Sequence, residues 1–336
     1  MSRSLAALLL AAAATIGSTA LADEVVVYSA RNEQLIKPLF DAYREETGTQ
    51  VRFVTDKEGP LMARLLAEGR NTPADLLITV DAGNLWQAAN KDLLREVDSP
   101  VLERNIPAHL RDPGKRWFGL SVRARTLVYN TNRVKPAELS TYEDLASAKW
   151  RGRLCLRTSK KVYNQSLVAM MIWAHGEARA EETVRGWVAN LATPPYADDT
   201  RAMEAVAAGL CDVTLVNTYY FGRLKAKRPN LPISIFWPNQ GDEGKFAGVH
   251  VNVSGAGITR HAKHPEQARR LLEWLSSDRA QKLYAGVNLE YPANPATPPD
   301  PRVAAWGSFK QAVINVSEAG RLQTRAVMLM DRAGYK

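Results

Sequence analysis

The sequence is poor in cysteine and histidine, and it lacks the short motifs that mark common enzyme active sites. Its 336 residues include two cysteines and five histidines. Because no C-x-x-C pair occurs, thiol redox chemistry and a cysteine-ligated zinc site have no support. There is also no G-x-S-x-G, H-E-x-x-H, G-x-x-x-x-G-K-S/T or G-x-G-x-x-G. No nucleophile and base can be paired, so the sequence argues against an enzyme.

Long runs of like charge and long apolar runs are also missing. Lys and Arg outnumber Asp and Glu by 44 to 35, a formal net charge of +9. These basic residues are scattered, which argues against a nucleic-acid partner. Beyond the N-terminus no apolar run approaches the ~20 residues that cross a bilayer, so we expect no membrane insertion of the mature chain. With 46% apolar residues the chain can form a packed core, and its length allows two domains.

The N-terminus has the layout of a secretory signal peptide. Arg3 precedes an uncharged apolar stretch at 5–16, and Ala20-Leu21-Ala22 forms a small-residue cleavage site. The segment 1–22 is therefore predicted to be removed, with the cut after Ala22. No cysteine follows to carry a lipid anchor, so we expect a free, monomeric protein in a bacterial periplasm.

Strand-like and helical patterns alternate through the rest of the chain. Apolar, β-rich runs at 25–28, 51–54 and 76–80 are separated by apolar residues at helical spacing in 35–43 and 61–66. This alternation predicts an α/β fold with a mostly parallel sheet covered by helices.

A second unit of the same kind follows. Strand-like runs recur at 154–156 and 213–216, and helical spacing recurs at 166–174. Extended runs at 127–129 and 249–253 are predicted to be antiparallel crossovers between two lobes. A cleft between lobes, at the carboxyl ends of strands, is the expected ligand site.

These patterns divide the mature chain between the two lobes. The N-terminal lobe is predicted to contain 23–122 and about 250–290, and the C-terminal lobe 123–249 and about 291–336. Apolar residues at helical spacing predict one long helix over 265–285.

The two cysteines lie beside strand-like stretches, at 154–156 and before 213–216. If these strands are neighbours, an oxidising compartment favours a disulfide between Cys155 and Cys211. The alternative is two reduced, buried thiols.

Tyrosines follow two of the predicted strands. Tyr219 and Tyr220 stand just past 213–216, and Tyr163 stands between the strand at 154–156 and a helix. They could be ordinary core aromatics. If they share the cleft, their phenolate oxygens are hard anionic donors suited to a cation such as Fe(III). Arg123, Lys160 and Lys161 could then assist deprotonation or hold a small anion.

At these residues the sequence resembles the periplasmic ferric-ion-binding proteins of bacterial iron ABC transporters. The resemblance covers nearly the whole mature chain. The resemblance implies a type II periplasmic binding protein, with two mixed-sheet Rossmann-like lobes joined by crossover hinge strands, and an inner-membrane ABC permease as partner. The segments that carry it are Val27-Tyr28-Ser29-Ala30-Arg31, Thr72-Pro73-Ala74-Asp75, Arg123-Ala124-Arg125, Tyr129-Asn130, Val162-Tyr163-Asn164-Gln165-Ser166, Asn217-Thr218-Tyr219-Tyr220, Ser254-Gly255-Ala256-Gly257 and Glu290-Tyr291-Pro292.

The resemblance also implies roles for individual residues. Tyr219 and Tyr220 stand at iron-ligand positions, and Tyr163 stands where the three-tyrosine branch of the family has its third ligand. Arg123 matches an arginine that holds a synergistic anion such as carbonate. Asn217 is expected to support the ligands from behind.

The N-terminal lobe departs from the family pattern. Asn32 and Glu33 occupy positions where relatives often have His or His-Tyr, and Val80, beside Asp81, stands where some relatives have Glu. Either Glu33, with Asn32 or Asp81 nearby, supplies an oxygen ligand, or carbonate and water complete the shell around three tyrosines. We expect the second arrangement.

The expected function is therefore binding of Fe(III) for uptake. The alternative is a protein of the same fold that binds another small solute, thiamine-like, polyamine-like or anionic, with the tyrosines stacking on it or donating hydrogen bonds to it.

Overall fold

The computed structural model describes residues 24–241 and 244–336, so the predicted signal peptide lies outside the described residues. The described strands are β1 (Glu24–Ser29), β2 (Gln50–Thr55), β3 (Leu76–Val80), β4 (Phe118–Asn130), β5 (Leu154–Cys155), β6 (Val213–Asn217), β7 (Ile233–Phe236), β8 (Val251–Ile258) and β9 (Tyr291–Pro292).

Helices cover both faces of these strands. The α-helices are α1 (Glu33–Thr47), α2 (Glu58–Glu68), α3 (Ala82–Asn90), α4 (Pro100–Asn105), α5 (Val162–His175), α6 (Glu177–Ala189), α7 (Asp199–Ala207), α8 (Thr218–Lys227), α9 (Pro265–Leu275), α10 (Asp278–Asn288), α11 (Pro301–Ala304), α12 (Ser317–Arg321) and α13 (Gln323–Arg332). The predicted alternation of strand and helix is confirmed. The prediction of a mostly parallel sheet is wrong, because β8 pairs antiparallel with β3 and β4, and β4 also pairs antiparallel with β6, β7 and β9. Gly48 ends α1 in the left-handed conformation, with φ 75°, which glycine adopts without steric cost.

The long strand β4 belongs to two groups of strands. Its first half pairs antiparallel with β8, which continues to β3, β1 and β2. Its second half pairs antiparallel with β6 and β7, and β6 pairs in parallel with β5. The predicted antiparallel crossover pair is thus β4 and β8, with Val122 opposite Val253. One continuous strand therefore connects the two halves of the molecule.

Two large apolar clusters accompany the two groups of strands. One contains residues of β1, β3 and β8 together with α9, and the other contains residues of α5, α6 and β6 together with α13. Each half thus buries its own core, which is the driving force for a separate α/β unit. The exact lobe boundaries given above stay a prediction.

Three helices differ from the sequence expectation. The predicted single helix over 265–285 is wrong, because Ser276 and Ser277 separate α9 from α10. The Ser277 side chain accepts a hydrogen bond from the backbone N–H of Ala280 and so caps a new helix. Helix α5 begins at Val162, four residues before the predicted start, and α8 begins at Thr218 directly after β6.

The predicted disulfide between Cys155 and Cys211 is present, and both cysteines are buried. It lies where β5 and β6 pair. Over residues 24–241 and 244–336, none of the helices has the length and apolar character needed to traverse a bilayer.

Candidate metal centre

A cavity of about 480 Å³ lies between the two halves of the molecule. One side is formed by residues of the β5–α5 and β6–α8 segments, which we call the tyrosine wall: Lys161, Tyr163, Tyr219, Tyr220 and Arg223. The other side, which we call the facing wall, comes from the N-terminal ends of α1 and α2: Asn32, Glu33, Gln34, Asp56 and Glu58.

The pairing of β5 with β6 explains why the three tyrosines meet. These strands are parallel neighbours, with Cys155 opposite Thr214, so their carboxyl ends reach the same edge. Tyr163 lies in the first turn of α5, and Tyr219 and Tyr220 lie in the first turn of α8. Each phenol therefore points from a helix N-terminus, where the helix dipole favours negative charge.

The tyrosines form a compact and largely buried group. The ring centroids of Tyr219 and Tyr220 are 4.4 Å apart, and the guanidinium carbon of Arg157 lies 5.4 and 5.9 Å from the ring centroids of Tyr163 and Tyr220. Tyr163 and Tyr219 are 8% and 6% exposed. Burial, followed by the nearby Tyr220, raises the pKa of Tyr163. Burial, followed by Tyr163 and then Tyr220, raises the pKa of Tyr219. Without a bound cation these two phenols stay protonated at neutral pH.

Cationic side chains surround the phenol rings. The guanidinium carbons of Arg123 and Arg157 lie 5.3 and 5.4 Å from the Tyr163 ring centroid. The Lys161 ammonium lies 4.9 Å from the same ring centroid, and Arg223 lies 4.9 Å from that of Tyr219. Such a field favours anionic forms of the tyrosines and can hold a small anion beside them.

Arg123 reaches the cavity while Asp81 lies behind it. An Arg123 Nη2 lies 3.3 Å from Asp81 Oδ2, and both side chains are at most 2% exposed. Asp81 also accepts hydrogen bonds from the Ser166 hydroxyl at 2.7 Å and the Asn252 amide at 3.0 Å. The structure therefore does not bring Asp81 to the cavity with the tyrosines, because its oxygens are occupied in fixing Arg123 and the crossover strand β8.

Asn217 also lies behind the tyrosine wall. Its side-chain amide donates to the Tyr219 hydroxyl at 3.3 Å, and its carbonyl oxygen accepts from Arg125 at 3.2 Å. This position supports a ligand without lining the cavity. Asn32 and Glu33, in contrast, line the cavity from the facing wall with exposed side chains.

One ion pair spans the cavity. The Lys161 Nζ lies 3.7 Å from Glu58 Oε1, so a residue next to the tyrosines contacts the N-terminal end of α2. Both side chains are partly exposed, and such pairs contribute about 0–1 kcal/mol. The contact brings the two walls together but binds them weakly.

Sequence reasoning missed three arginines and a glutamate at this site. Arg157 and Arg223 flank the tyrosine rings, and Arg31 forms a buried ion pair with Glu290 at 2.6 Å. Burial alone would raise the pKa of Glu290, but Arg31 and then Arg123 hold it below its usual value. Arg223 could have been recognised, since it follows Tyr219 by one helical turn. The Glu290 partner of Arg31 and the Tyr220 partner of Arg157 are distant in sequence and carry no such signal.

The donor set determines what the cavity can bind. Throughout 24–241 and 244–336, no group of three or more His, Cys, Asp or Glu residues could hold a metal ion. The tyrosine wall instead offers three phenol oxygens, which suit a hard, highly charged cation. Arginines beside them suit a carboxylate or carbonate.

Comparison with known proteins gives consistent results. The family model described as bacterial extracellular solute-binding protein matches residues 29–282. Iron uptake protein A1 of Synechocystis is 41% identical over 321 residues, which is 93% of this chain and 88% of that protein.

Solved structures resemble the whole fold. A Trichodesmium protein (IdiA, FutA) in complex with iron and citrate ligands superposes with a TM-score of 0.89 at 43% identity, covering 93% of this chain and 100% of that one. Mannheimia haemolytica ferric iron-binding protein A, in an open conformation, gives a TM-score of 0.87 at 36% identity, covering 94% and 99%. These likenesses confirm the predicted two-lobed α/β architecture.

Proposed function

We propose, from the premise that this chain belongs to the family of bacterial extracellular solute-binding proteins, that it binds Fe(III) in the periplasm and delivers it to an inner-membrane ABC permease. The observation that carries the proposal is the convergence of Tyr163, Tyr219 and Tyr220 on one cavity among arginines. The names of the relatives, an iron uptake protein and a ferric iron-binding protein, agree with it.

In this proposal the three phenols are the protein's ligands to the metal. Fe(III) lowers the pKa of a group that it binds and displaces its proton, so three phenolates balance the charge of the ion. Arg123 is assigned to a synergistic anion such as carbonate, because its buried guanidinium lies next to the Tyr163 ring. Lys161 is assigned to the same anion, and Asn217 orients Tyr219.

The facing wall is assigned to closure rather than to the primary metal shell. Asn32 and Glu33 are exposed, and the N-terminal ends of α1 and α2 face the same cavity. A bound ion and its anion that interact better with the closed arrangement shift the lobes toward it. Release is favoured by protons that return to the phenolates, by loss of the anion, or by reduction to Fe(II), which binds phenolate more weakly.

A second candidate is a small organic or anionic solute. The cavity volume of about 480 Å³ exceeds the size of a metal ion with carbonate, and this favours the alternative. The two candidates differ in colour, because Fe(III) bound to tyrosinate absorbs visible light through charge transfer and an organic solute bound by neutral tyrosines does not.

The test is the visible spectrum of the purified protein after addition of Fe(III) and bicarbonate. The wild-type protein is expected to develop a charge-transfer band at one iron per chain. Tyr220→Phe keeps the ring and removes one oxygen, so the band should weaken and shift, with an affinity loss of at least about 100-fold.

Tyr129→Phe is the matched control, because Tyr129 is a buried tyrosine of β4 that does not line the cavity. It should leave the band unchanged. A wild-type protein that stays colourless with ferric salt, or a Tyr220→Phe protein with the wild-type band, contradicts the iron assignment.

A further inference from the structure

We propose that Arg125, which lies behind the cavity, positions the tyrosine wall by holding both tyrosine-bearing segments with one guanidinium group. The inference rests on the proposed function, since it takes Tyr163, Tyr219 and Tyr220 as the ligands. Arg125 itself does not line the cavity and is not assigned to contact the metal or the anion.

One guanidinium makes hydrogen bonds to both segments. Arg125 Nη2 donates to Asn164 Oδ1 at 2.7 Å, and Arg125 Nη1 donates to Asn217 Oδ1 at 3.2 Å. Asn164 is the residue after Tyr163 in the first turn of α5, and Asn217 is the last residue of β6, directly before α8. The two helix starts that carry the phenols are thus joined through a single planar group.

The strand pairing alone joins these segments weakly. β5 has two residues, and only two register pairs connect it to β6. After Cys155 the chain runs through the segment 156–162 before it reaches Tyr163. Asn164 fixes this segment as well, because its amide donates to the Arg157 carbonyl oxygen at 3.0 Å. The Arg125–Asn164 hydrogen bond therefore acts beyond the end of the ladder, where the tyrosine is.

Asp199 compensates the positive charge of the buried Arg125. Arg125 is 2% exposed, and its Nη1 lies 2.6 Å from Asp199 Oδ2. The same carboxylate oxygen accepts a hydrogen bond from the backbone N–H of Asn217 at 3.0 Å. A buried charge needs a paired and hydrogen-bonded partner, and Asp199 provides one that is itself tied to the start of α8.

The shape of the arginine side chain is essential to this arrangement. A guanidinium directs several N–H groups from a rigid plane, whereas a lysine ammonium is a single point on a flexible stem. Lysine at 125 could keep the charge next to Asp199 but could not keep the amides of Asn164 and Asn217 at fixed positions. Because metal ligands must be placed to within a fraction of an ångström, loss of either hydrogen bond should weaken iron binding.

The experiment compares the loss of all side-chain hydrogen bonds of Asn164 with the loss of the Tyr335 contacts alone. Asn164→Ala frees the Tyr163 segment from Arg125, and Tyr335→Phe is its matched control. The Tyr335 hydroxyl accepts from the Asn164 amide at 2.8 Å and donates to the Arg157 carbonyl oxygen at 2.5 Å. This control therefore removes two neighbouring contacts and leaves the Arg125–Asn164 hydrogen bond in place. The variants are compared by iron-free melting temperature, by the visible band, and by the rate of iron release to a chelator.

Asn164→Ala is expected to release iron about 10–100-fold faster than wild type and to shift the band, as changes behind metal ligands typically do. Tyr335→Phe should stay within about threefold of the wild-type rate. Equal release rates for the two variants would overturn the proposal, as would a wild-type band in Asn164→Ala.

Arg125→Lys tests the planar group itself. It is expected to fold with the Asp199 pair retained and to show the same spectral shift as Asn164→Ala. If Arg125→Lys fails to fold, Asn164→Ala and Asn217→Ala still test the proposal. A wild-type rate of iron release in both variants would overturn it. If the proposed function itself is wrong, the wild-type protein shows no charge-transfer band. This outcome is distinct from failure of the Arg125 proposal.

Discussion

The two walls of the cavity are built in different ways. Two phenols of the tyrosine wall are buried, Tyr163 at 8% and Tyr219 at 6% exposure, and the wall is held from behind by Asn164, Asn217 and Arg125. Asn32, Glu33 and Gln34 of the facing wall are exposed. A metal site gains affinity from donors fixed before binding. From this difference we expect affinity to reside in the tyrosine wall and the facing wall to contribute mainly to closure.

The walls also differ in how they are connected to the rest of the molecule. The segments of the tyrosine wall are joined by a disulfide, a short parallel ladder and a buried arginine. The facing wall touches the tyrosine wall through the Lys161–Glu58 pair, which is partly exposed. The segments of the tyrosine wall are therefore more firmly connected to each other than the two walls are.

The largest expected effect is that of pH on iron affinity. The steepness of this dependence gives the number of protons that the phenols of the tyrosine wall release on binding. Burial raises the pKa of Tyr163 and Tyr219, so both phenols carry protons throughout the neutral range and must release them on binding. If three phenols bind, affinity should fall by about a thousandfold for each unit of decrease in pH. Competition with a chelator of known affinity at several pH values measures this slope.

A pH dependence that corresponds to the release of one proton would mean that a single phenol of the tyrosine wall binds the metal. No dependence on pH would contradict phenolate binding altogether. Tyr163→Phe provides the internal check, because it should lower the slope by about one proton.

Removal of the disulfide is expected to have the next largest effect, which is on stability rather than on iron affinity. Cys155 and Cys211 are 56 residues apart, and closing a loop of that length stabilises the folded state by roughly 4 kcal/mol in the chain-entropy model. A Cys155→Ala/Cys211→Ala variant should melt about 8–16 °C lower without iron. Its iron affinity at low temperature should change by less than about threefold, because the hydrogen bonds of Arg125 remain.

Calorimetry and a chelator competition measure the two quantities separately. An unchanged melting temperature would show that the crosslink does not stabilise this half of the molecule. A collapse of affinity in a folded variant would show that the disulfide, and not the buried hydrogen bonds, places the tyrosines.

The smallest expected effect is that of Glu33→Gln in the facing wall. If carbonate and water complete the metal shell, removing this exposed charge should change iron affinity by less than about threefold. A loss of more than about tenfold would instead identify Glu33 as a ligand. Glu46→Gln, an exposed glutamate of α1 that does not line the cavity, is the matched control for the change in charge.

Much of the fold could be predicted because it follows from local patterns. The strands at 76–80 and 213–216 and the helix over 35–43 were recognised from apolar spacing, and Tyr219 was placed correctly at a strand end. The N-terminal starts of α5 and α8 were not predicted, since polar and aromatic residues such as Asn164 and Tyr220 give no apolar period there. The break at Ser276 was missed because the apolar spacing continues across it.

The sequence by itself determined which donors follow the predicted strands: Tyr163 comes after the strand at 154–156, and Tyr219 and Tyr220 come after the strand at 213–216. It also showed that histidine and cysteine are scarce. It also determined the alternation that produces two α/β units. Only the tertiary structure decided that Asp81 lies behind Arg123, that Arg157 and Arg223 flank the rings, and that Arg125 joins Asn164 to Asn217. The reason is physical: residue type and local period specify short-range structure, whereas buried charges are placed by partners dozens of residues away, which a local pattern does not contain.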